Sequence, residues 1–128
     1  MTIVNDGMRA VAALIGTDTS ASTTAFGYIA IGTDATPPTA ADTGLAAQDQ
    51  IAAATGTNVT VNVSYDTLQL VKDAFSFGSS KSIKEVGVFN GSTGSGTDAM
   101  LSRATFAAVN VTSDDTLKVT VKETVVQG

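Results

Sequence analysis

The chain contains no cysteine, no histidine and no tryptophan, and only 15% of its 128 residues are charged. The absence of cysteine excludes a disulfide framework, a thiolate nucleophile and a cysteine-bound zinc. The absence of histidine removes the commonest general base and transition-metal ligand. No P-loop, Gly-x-Gly-x-x-Gly or Gly-x-Ser-x-Gly motif occurs. We therefore expect a protein that is not an enzyme, with no catalytic residue, no cofactor and no small-molecule substrate.

Basic side chains are also scarce, at 7 against 12 acidic ones, which gives a formal net charge of −5. A nucleic-acid-binding surface needs basic residues to neutralise phosphates, so we expect no nucleic-acid partner. The longest apolar run, residues 10–15, is much shorter than the roughly 20 residues of a membrane-spanning helix. Residues 1–7 lack the basic and apolar regions of a secretory signal. We expect no membrane partner and synthesis in the host cytoplasm without a signal peptide.

Alanine, threonine, serine and glycine take the place of the missing charges. Such small side chains lose little conformational entropy when a surface docks against a neighbour. The composition suits a protein that assembles in many copies, and it equally suits an ordinary threonine-rich β-protein.

Near the N-terminus, Asn5 or Asp6 can cap a helix over about residues 6–15, with Gly16 after its end. The apolar residues of this helix follow the i, i+3, i+4, i+7 spacing of one helical face. They are Met8, Val11, Ala12 and Ile15. The pattern favours packing of this stripe on the domain's own sheet, and docking into a neighbouring subunit is the alternative.

After a polar turn over residues 17–24, the pattern changes to that of strands. The apolar run Phe26–Ile31 predicts a central strand that is covered on both faces. Residues 35–45, which include Pro37 and Pro38, predict an extended surface loop that is long enough to serve an interface. Residues 50–55 fit either a short strand or one turn of helix.

Alternation of apolar and polar residues over Asn58–Tyr65 predicts a strand with one buried face. Its inward residues would be Val59, Val61, Val63 and Tyr65. In the next run, Leu68–Phe77, the apolar positions change parity, which predicts a bulge near Lys72 and Asp73.

Three more strand patterns complete the chain. Residues 82–89 alternate, with Ile83, Glu85, Gly87 and Phe89 expected on one side. A glycine-rich hairpin tip at residues 90–96 leads to a strand over residues 100–108, and a second hairpin at residues 113–115 leads to the last strand. We predict one domain over residues 1–128: all-β and mainly antiparallel, a β-sandwich or jelly-roll-like fold. It would have about seven or eight short strands over residues 25–126 and one N-terminal helix.

Several carboxylates invite a specific interpretation. Glu85 lies on an expected buried face, so it needs a partner, and Arg103 on the following strand is the natural candidate for a structural ion pair. Calcium could bind the pairs Asp34/Asp42 or Asp114/Asp115, whereas turn aspartates more often cap their own backbone. Glycosylation sequons occur at Asn58, Asn62, Asn90 and Asn110, and an exposed strand face rich in threonine and asparagine produces such triplets unaided.

Several segments together resemble the small structural proteins of tailed viruses of bacteria and archaea. They are residues 26–33, 42–45, 83–91, 100–106 and 115–121. The Ile-x-Glu-Val-Gly-Val-Phe segment at residues 83–89, with the glycine-rich tip and the Met-Leu-x-Arg-Ala strand that follow, also resembles the attachment domain of phage tail-collar fibre proteins. The resemblance implies a virion component without enzymatic activity, assembled in many copies on the head surface, neck or tail.

Because no fibre shaft follows the domain, the resemblance favours a capsid decoration or cement subunit. Its expected partners are other copies of itself, with a trimer as one form, and a major capsid or tail protein. The helix and the loop at residues 35–45 would reach these partners. The interface residues expected from them are Met8, Val11, Ile15, Pro37, Pro38 and Leu45.

The net negative charge suits the exterior of the head better than a surface against packaged DNA. A neck, collar or tail component is the first alternative function. A host-surface adhesion or glycan-binding module is the second, and it would need exposed aromatic side chains. Only two tyrosines are present, Tyr28 and Tyr65, and both are expected on apolar strand faces.

Overall fold

The structure is a computed structural model, and it describes residues 1–16 and 24–127. The predicted turn over residues 17–24 lies, apart from its last residue, outside the described residues. The elements are β1 (Thr2–Ile3), α1 (Asn5–Ile15), β2 (Tyr28–Gly32), β3 (Gln48–Ala53), β4 (Thr55–Val59), β5 (Thr67–Ser76), β6 (Lys81–Phe89), β7 (Met100–Val111) and β8 (Thr116–Thr124).

The strands form two antiparallel sheets that pack face to face. One sheet has the strand order β1-β7-β6-β2-β3, and the other has the order β4-β5-β8. The main core lies between them, with Ile29, Ile31 and Val88 from the first sheet and Leu70 and Phe75 from the second. The predicted all-β, mainly antiparallel fold with one N-terminal helix is confirmed.

Strand β2 is covered on both faces, as its continuous apolar sequence predicts. Ile29 and Ile31 face the core between the sheets. Ala30 points to the opposite side, where it belongs to a second buried cluster with Val4 and Phe89. Strands β6 and β3 pair with the two edges of β2, so neither edge is free. Of residues 50–55, which could form a short strand or one turn of helix, those up to Ala53 belong to strand β3 and Thr55 begins strand β4.

The predicted bulge in the fifth strand is confirmed. The register between β5 and β8 shifts between Lys72 and Phe75, where β5 carries an additional residue. Because the bulge changes the facing of every residue after it, Leu70 and Phe75 are both buried in the main core.

The prediction of a strand over Asn58–Tyr65 is wrong. Strand β4 ends at Val59, and the chain then turns. The Asp66 carboxylate accepts hydrogen bonds from three consecutive backbone N–H groups of this turn, at 2.9, 2.9 and 3.0 Å; the donors are Val61, Asn62 and Val63. This capping by a side chain competes with strand pairing and defeats the alternating pattern.

The predicted facing of Ile83 is also wrong. Ile83 lies in the same buried cluster as Val86 and Val88, not on the side of Phe89. The register against β7 shifts between Ile83 and Glu85, so the pairing of β6 is irregular at this point. The alternation of residues within β6 does not reveal this irregularity.

Helix α1 begins one residue earlier than predicted and is capped differently. Val4 occupies the N-cap position, without a side-chain hydrogen bond, so neither Asn5 nor Asp6 is the cap. Gly16 ends the helix in an extended conformation, and its N–H donates to the carbonyl of Ala12 at 3.2 Å. Within the described part of the chain, no helix has the length and apolar character of a membrane span.

Candidate assembly surface

Helix α1 turns its large apolar side chains away from the domain. Met8 is 60% exposed and Ile15 is 84% exposed, and Val11 and Leu14 are also exposed. The expectation that the Met8–Ile15 stripe packs on the domain's own sheet is therefore wrong. The interface role of Met8, Val11 and Ile15 stays a prediction, and the structure leaves all three accessible.

Small residues form the face of α1 that meets the sheet. Gly7, Ala10 and Ala13 are its buried positions. A Cβ atom on Gly7 would overlap the backbone of Leu101 in β7, only 2.7 Å from its Cα. The helix therefore lies so close to β7 that no larger side chain fits between them, and the larger residues point outward.

Backbone hydrogen bonds fix the start of the helix. The N–H of Val4 donates to the carbonyl of Leu101 at 3.1 Å, which joins the chain to β7. The N–H of Asn5 donates to the carbonyl of Ala40 at 2.8 Å, which joins it to the loop between β2 and β3. Val4 is itself fully buried. Both contacts hold α1 in one orientation relative to the sheet.

An apolar groove of about 540 Å³ runs beside the helix. Val11 forms part of its wall, together with residues that are far apart in sequence: Ile3 of β1, Tyr65, and Val125 and Val126 after β8. Ile3, Tyr65, Val125 and Val126 are all exposed. We use the term apolar surface for the groove residues and the outer face of α1 together, namely Ile3, Met8, Val11, Leu14, Ile15, Tyr65, Val125 and Val126.

Two carboxylates border this surface, and both have partners within the chain. Asp66 accepts its three backbone hydrogen bonds, and the one from Val63 contributes most to holding the pKa of Asp66 well below its usual range. Glu123 accepts a hydrogen bond from the hydroxyl of Ser102. A partner that covers the apolar surface therefore need not supply a cation for either group.

Tyr65 departs from its predicted place on an apolar strand face. Its side chain is 73% exposed, and its backbone has a φ of 61°. That left-handed conformation is uncommon for residues other than glycine, asparagine and aspartate. The N–H of Tyr65 donates to the Thr60 hydroxyl at 3.1 Å. The turn thus presents the aromatic ring at the groove.

The loop between β2 and β3 carries the other predicted interface residues. Pro37 is exposed, and Pro38 and Leu45 are half-buried. Leu45 packs toward the cluster that contains Phe89, so it supports the domain. None of the three lines the groove beside Val11. The structure therefore does not combine the helix and the loop into one groove, and an interface role for the loop residues stays a prediction.

A buried ion cluster holds this loop to the sheet. The Glu85 carboxylate is fully buried, and Arg103 donates to its Oε2 from Nε at 3.0 Å and from Nη2 at 2.7 Å. Nη1 of Arg103 extends to Oδ2 of Asp42 in the loop, at 3.0 Å. The backbone N–H groups of Ala46 and Ala47 also donate to Glu85. The predicted Glu85–Arg103 pair is confirmed, whereas nothing in the sequence pointed to Asp42 as its third member.

The charges in this cluster stabilise each other. Burial of the guanidinium opposes its charge, but hydrogen bonds to Glu85 and then Asp42 outweigh burial and raise the pKa of Arg103. Hydrogen bonding from the Thr39 backbone, with a smaller contribution from Arg103, lowers the pKa of Asp42. A Cβ atom on Gly32 would overlap Glu85 and lie 2.5 Å from the carbonyl oxygen of Ala47. Gly32 therefore leaves the space that the carboxylate and the loop occupy.

The acidic pairs that suggested calcium mainly cap nearby backbone. Asp34 accepts from the N–H of Thr36 at 2.6 Å, and Asp115 accepts from the N–H of Thr112 at 2.7 Å. Asp42 is engaged by Thr39 and Arg103. Within residues 1–16 and 24–127, no three acidic side chains are grouped to hold a metal ion.

The four sequon asparagines occupy different environments. Asn58, Asn62 and Asn110 are exposed. Asn90 is buried, and its side-chain oxygen accepts a hydrogen bond from the N–H of Ala99 at 2.7 Å. Asn90 is therefore engaged in the fold, whereas use of the other three remains a prediction.

A second apolar groove, of about 400 Å³, opens between β7 and β8. Its walls include Phe106 and Val109 of β7 and Leu117 and Val119 of β8. The groove lies between the two sheets, since β7 belongs to the first and β8 to the second.

Sequence reasoning missed most of the groove residues. Ile3, Tyr65, Val125 and Val126 come from separate segments, and only the tertiary fold brings them together. One signal was present in the helix. Gly7, Ala10 and Ala13 repeat at a spacing of three and form a face of small residues, which is the face that can approach a strand most closely.

Comparison of the chain with protein-family models, with curated proteins and with solved structures finds no match.

Proposed function

We propose that this chain is a structural subunit of a virus particle, a capsid decoration or cement protein that binds the outer shell in many copies. The observation that carries the proposal is the apolar surface, which the fold presents on a firmly attached helix. The sequence resemblance to structural proteins of tailed viruses supports the same function.

Exposure of this much apolar surface is costly unless a partner covers it. Soluble monomers seldom leave large contiguous apolar patches in water, and such patches commonly mark interaction sites. Here the exposed fractions reach 84% at Ile15 and 81% at Val125. The β-branched side chains among them have few rotamers, so docking them costs little conformational entropy.

A firm attachment of α1 suits a cementing role. A subunit that binds one state of a shell stabilises that state by mass action. Contacts between neighbouring subunits add to this stabilisation only if the surface that makes them keeps its shape. The Gly7 contact with Leu101 and the hydrogen bond from Asn5 to Ala40 hold the helix in place.

The composition of purified particles tests the proposal. Particles are isolated from a host that expresses the complete set of viral genes, and copies of the chain are counted with isotope-labelled peptide standards. We expect a copy number comparable to that of the major capsid protein. A copy number that fits a single ring of subunits would replace the decoration role by the neck, collar or tail alternative. Absence of the chain from the particle would overturn the proposal.

The exposure of Tyr65 favours one further candidate, a glycan-binding module, because aromatic rings serve as platforms for sugars. Saturable binding of the isolated protein on a glycan array, lost in Tyr65→Ala, would support that candidate. A glycan array without such binding would remove it.

A further inference from the structure

We propose that the apolar surface binds a second copy of this chain. The inference rests on the proposed function, because it takes the apolar surface as the assembly surface and names its partner.

The available area is sufficient for a stable dimer. A fully exposed aliphatic side chain offers roughly 100 Å² of apolar surface. Scaled by their exposed fractions, the eight side chains of the apolar surface present roughly 500 Å². A standard interface buries about 800 Å² on each partner, and somewhat more than half of that is apolar. The apolar surface therefore matches one side of such an interface.

The shape of the surface permits pairing with itself. Met8 and Ile15 project from the outer face of α1, and the groove lies directly beside them at Val11. Each copy thus carries both a ridge and an adjoining groove. In a two-fold dimer the same patch is used on both subunits, so each ridge would occupy the groove of the other copy.

The charges at the surface also permit burial. An unpaired charge buried in an interface is strongly unfavourable. Asp66 and Glu123, the two carboxylates that line the groove, already have hydrogen-bond partners in the chain. Association therefore leaves neither of them without a partner.

The net charge supplies an additional readout. Two copies that each carry −5 repel one another at long range, and salt screens this repulsion. Association driven by apolar contact should therefore strengthen as ionic strength rises, whereas association through ion pairs would weaken.

Sedimentation velocity of the full chain over a concentration series tests the inference. We expect a reversible dimer for the wild type. The variant Ile15→Lys changes a side chain that is 84% exposed at the C-terminal end of α1, where a cation is compatible with the helix dipole. It should unfold at the same temperature as the wild-type monomer but bind its second copy at least tenfold more weakly.

The chain offers a matched pair of valines as a control. Val11 in the apolar surface and Val109 in the second groove are 39% and 38% exposed. Val11→Ser should weaken association several-fold, and Val109→Ser should not change it. A wild-type chain that stays monomeric at all concentrations, or a dimer that Val109→Ser weakens and Ile15→Lys does not, would overturn the inference.

Failure of this inference and failure of the proposed function give different results. A monomeric chain that is abundant in particles contradicts only the self-association. A dimer that depends on Ile15 but is absent from particles contradicts only the virion role.

Discussion

Nη2 of Arg103 lies 2.7 Å from Oε2 of Glu85, and the two side chains are 2% and 0% exposed. This pair links the central strands β6 and β7, and through Asp42 it also holds the loop between β2 and β3. Because the loop in turn contacts the start of α1 at Asn5, the buried ion cluster contributes to the placement of the apolar surface.

Removal of the cation from this cluster should be strongly destabilising. Arg103→Met leaves the Glu85 carboxylate buried without its charged partner, and such changes cost about 3–5 kcal/mol. The free energy of unfolding in urea measures the effect. Lys118→Ala is the control, since Lys118 and Asp73 form an exposed pair at 3.9 Å, and it should change stability by less than about 1 kcal/mol. A loss of that small size in Arg103→Met as well would contradict the prediction.

Close packing of α1 on β7 predicts an unusual response to alanine. Gly7→Ala should destabilise the domain by about 1–3 kcal/mol through steric overlap, although alanine favours helix formation by about 1 kcal/mol. The overlap is with the backbone of Leu101, which cannot turn aside as a side chain can. Urea unfolding measures the change. Gly27→Ala is the control because nothing lies within 4 Å of the new Cβ, and equal stability of the two variants would refute the close packing.

Acid should destabilise the domain below about pH 4. Hydrogen bonds lower the pKa values of four aspartates in the folded state: Asp34, Asp42, Asp66 and Asp98. The unfolded chain, with aspartate pKa values of about 3.9, therefore binds more protons than the folded chain in this range. Stability is fully present above the unfolded value and falls as the pH drops toward the folded values.

Urea midpoints from pH 6 to pH 2 measure this dependence. For Asp66 the largest cause of the lowered pKa is the hydrogen bond from the Val63 backbone. Asp66→Asn removes the titrating group and should make the midpoint less dependent on pH. An unchanged dependence in this variant would show that Asp66 does not contribute.

The tip between β6 and β7 should depend on Asp98. Its carboxylate accepts from the N–H groups of Thr93 and Gly94, at 2.8 and 3.1 Å, and from the Thr93 hydroxyl. In Asp98→Ala the two amides should exchange with solvent roughly tenfold faster, as expected for loss of a charged hydrogen bond of about 1.5 kcal/mol. Hydrogen exchange by NMR measures this, with Asp73→Ala as an exposed control. Unchanged exchange would contradict the assigned role.

Strands whose spacing of apolar residues depends only on their own burial were predictable from the sequence. The continuous apolar run of β2, the parity change in β5 and the Glu85–Arg103 pair all follow from rules that act within a strand or between neighbouring strands. The sequence-based predictions fail where a different segment of the chain determines the local structure. Asp66 turns the chain after Val59 by capping three amides, and the pairing of β6 with β7 becomes irregular beside Ile83.

By itself, the sequence determined the all-β class, the single helix and its apolar stripe, because the spacing of apolar residues sets which local structure can bury them. Only the tertiary structure decided that the stripe faces solvent. A helix with large residues on one face and Gly7, Ala10 and Ala13 on another can pack with either, and the short distance to Leu101 admits only the small one. The same folding brings Ile3, Tyr65 and Val125 to the helix from distant positions in the chain, and so creates a surface that no single segment encodes.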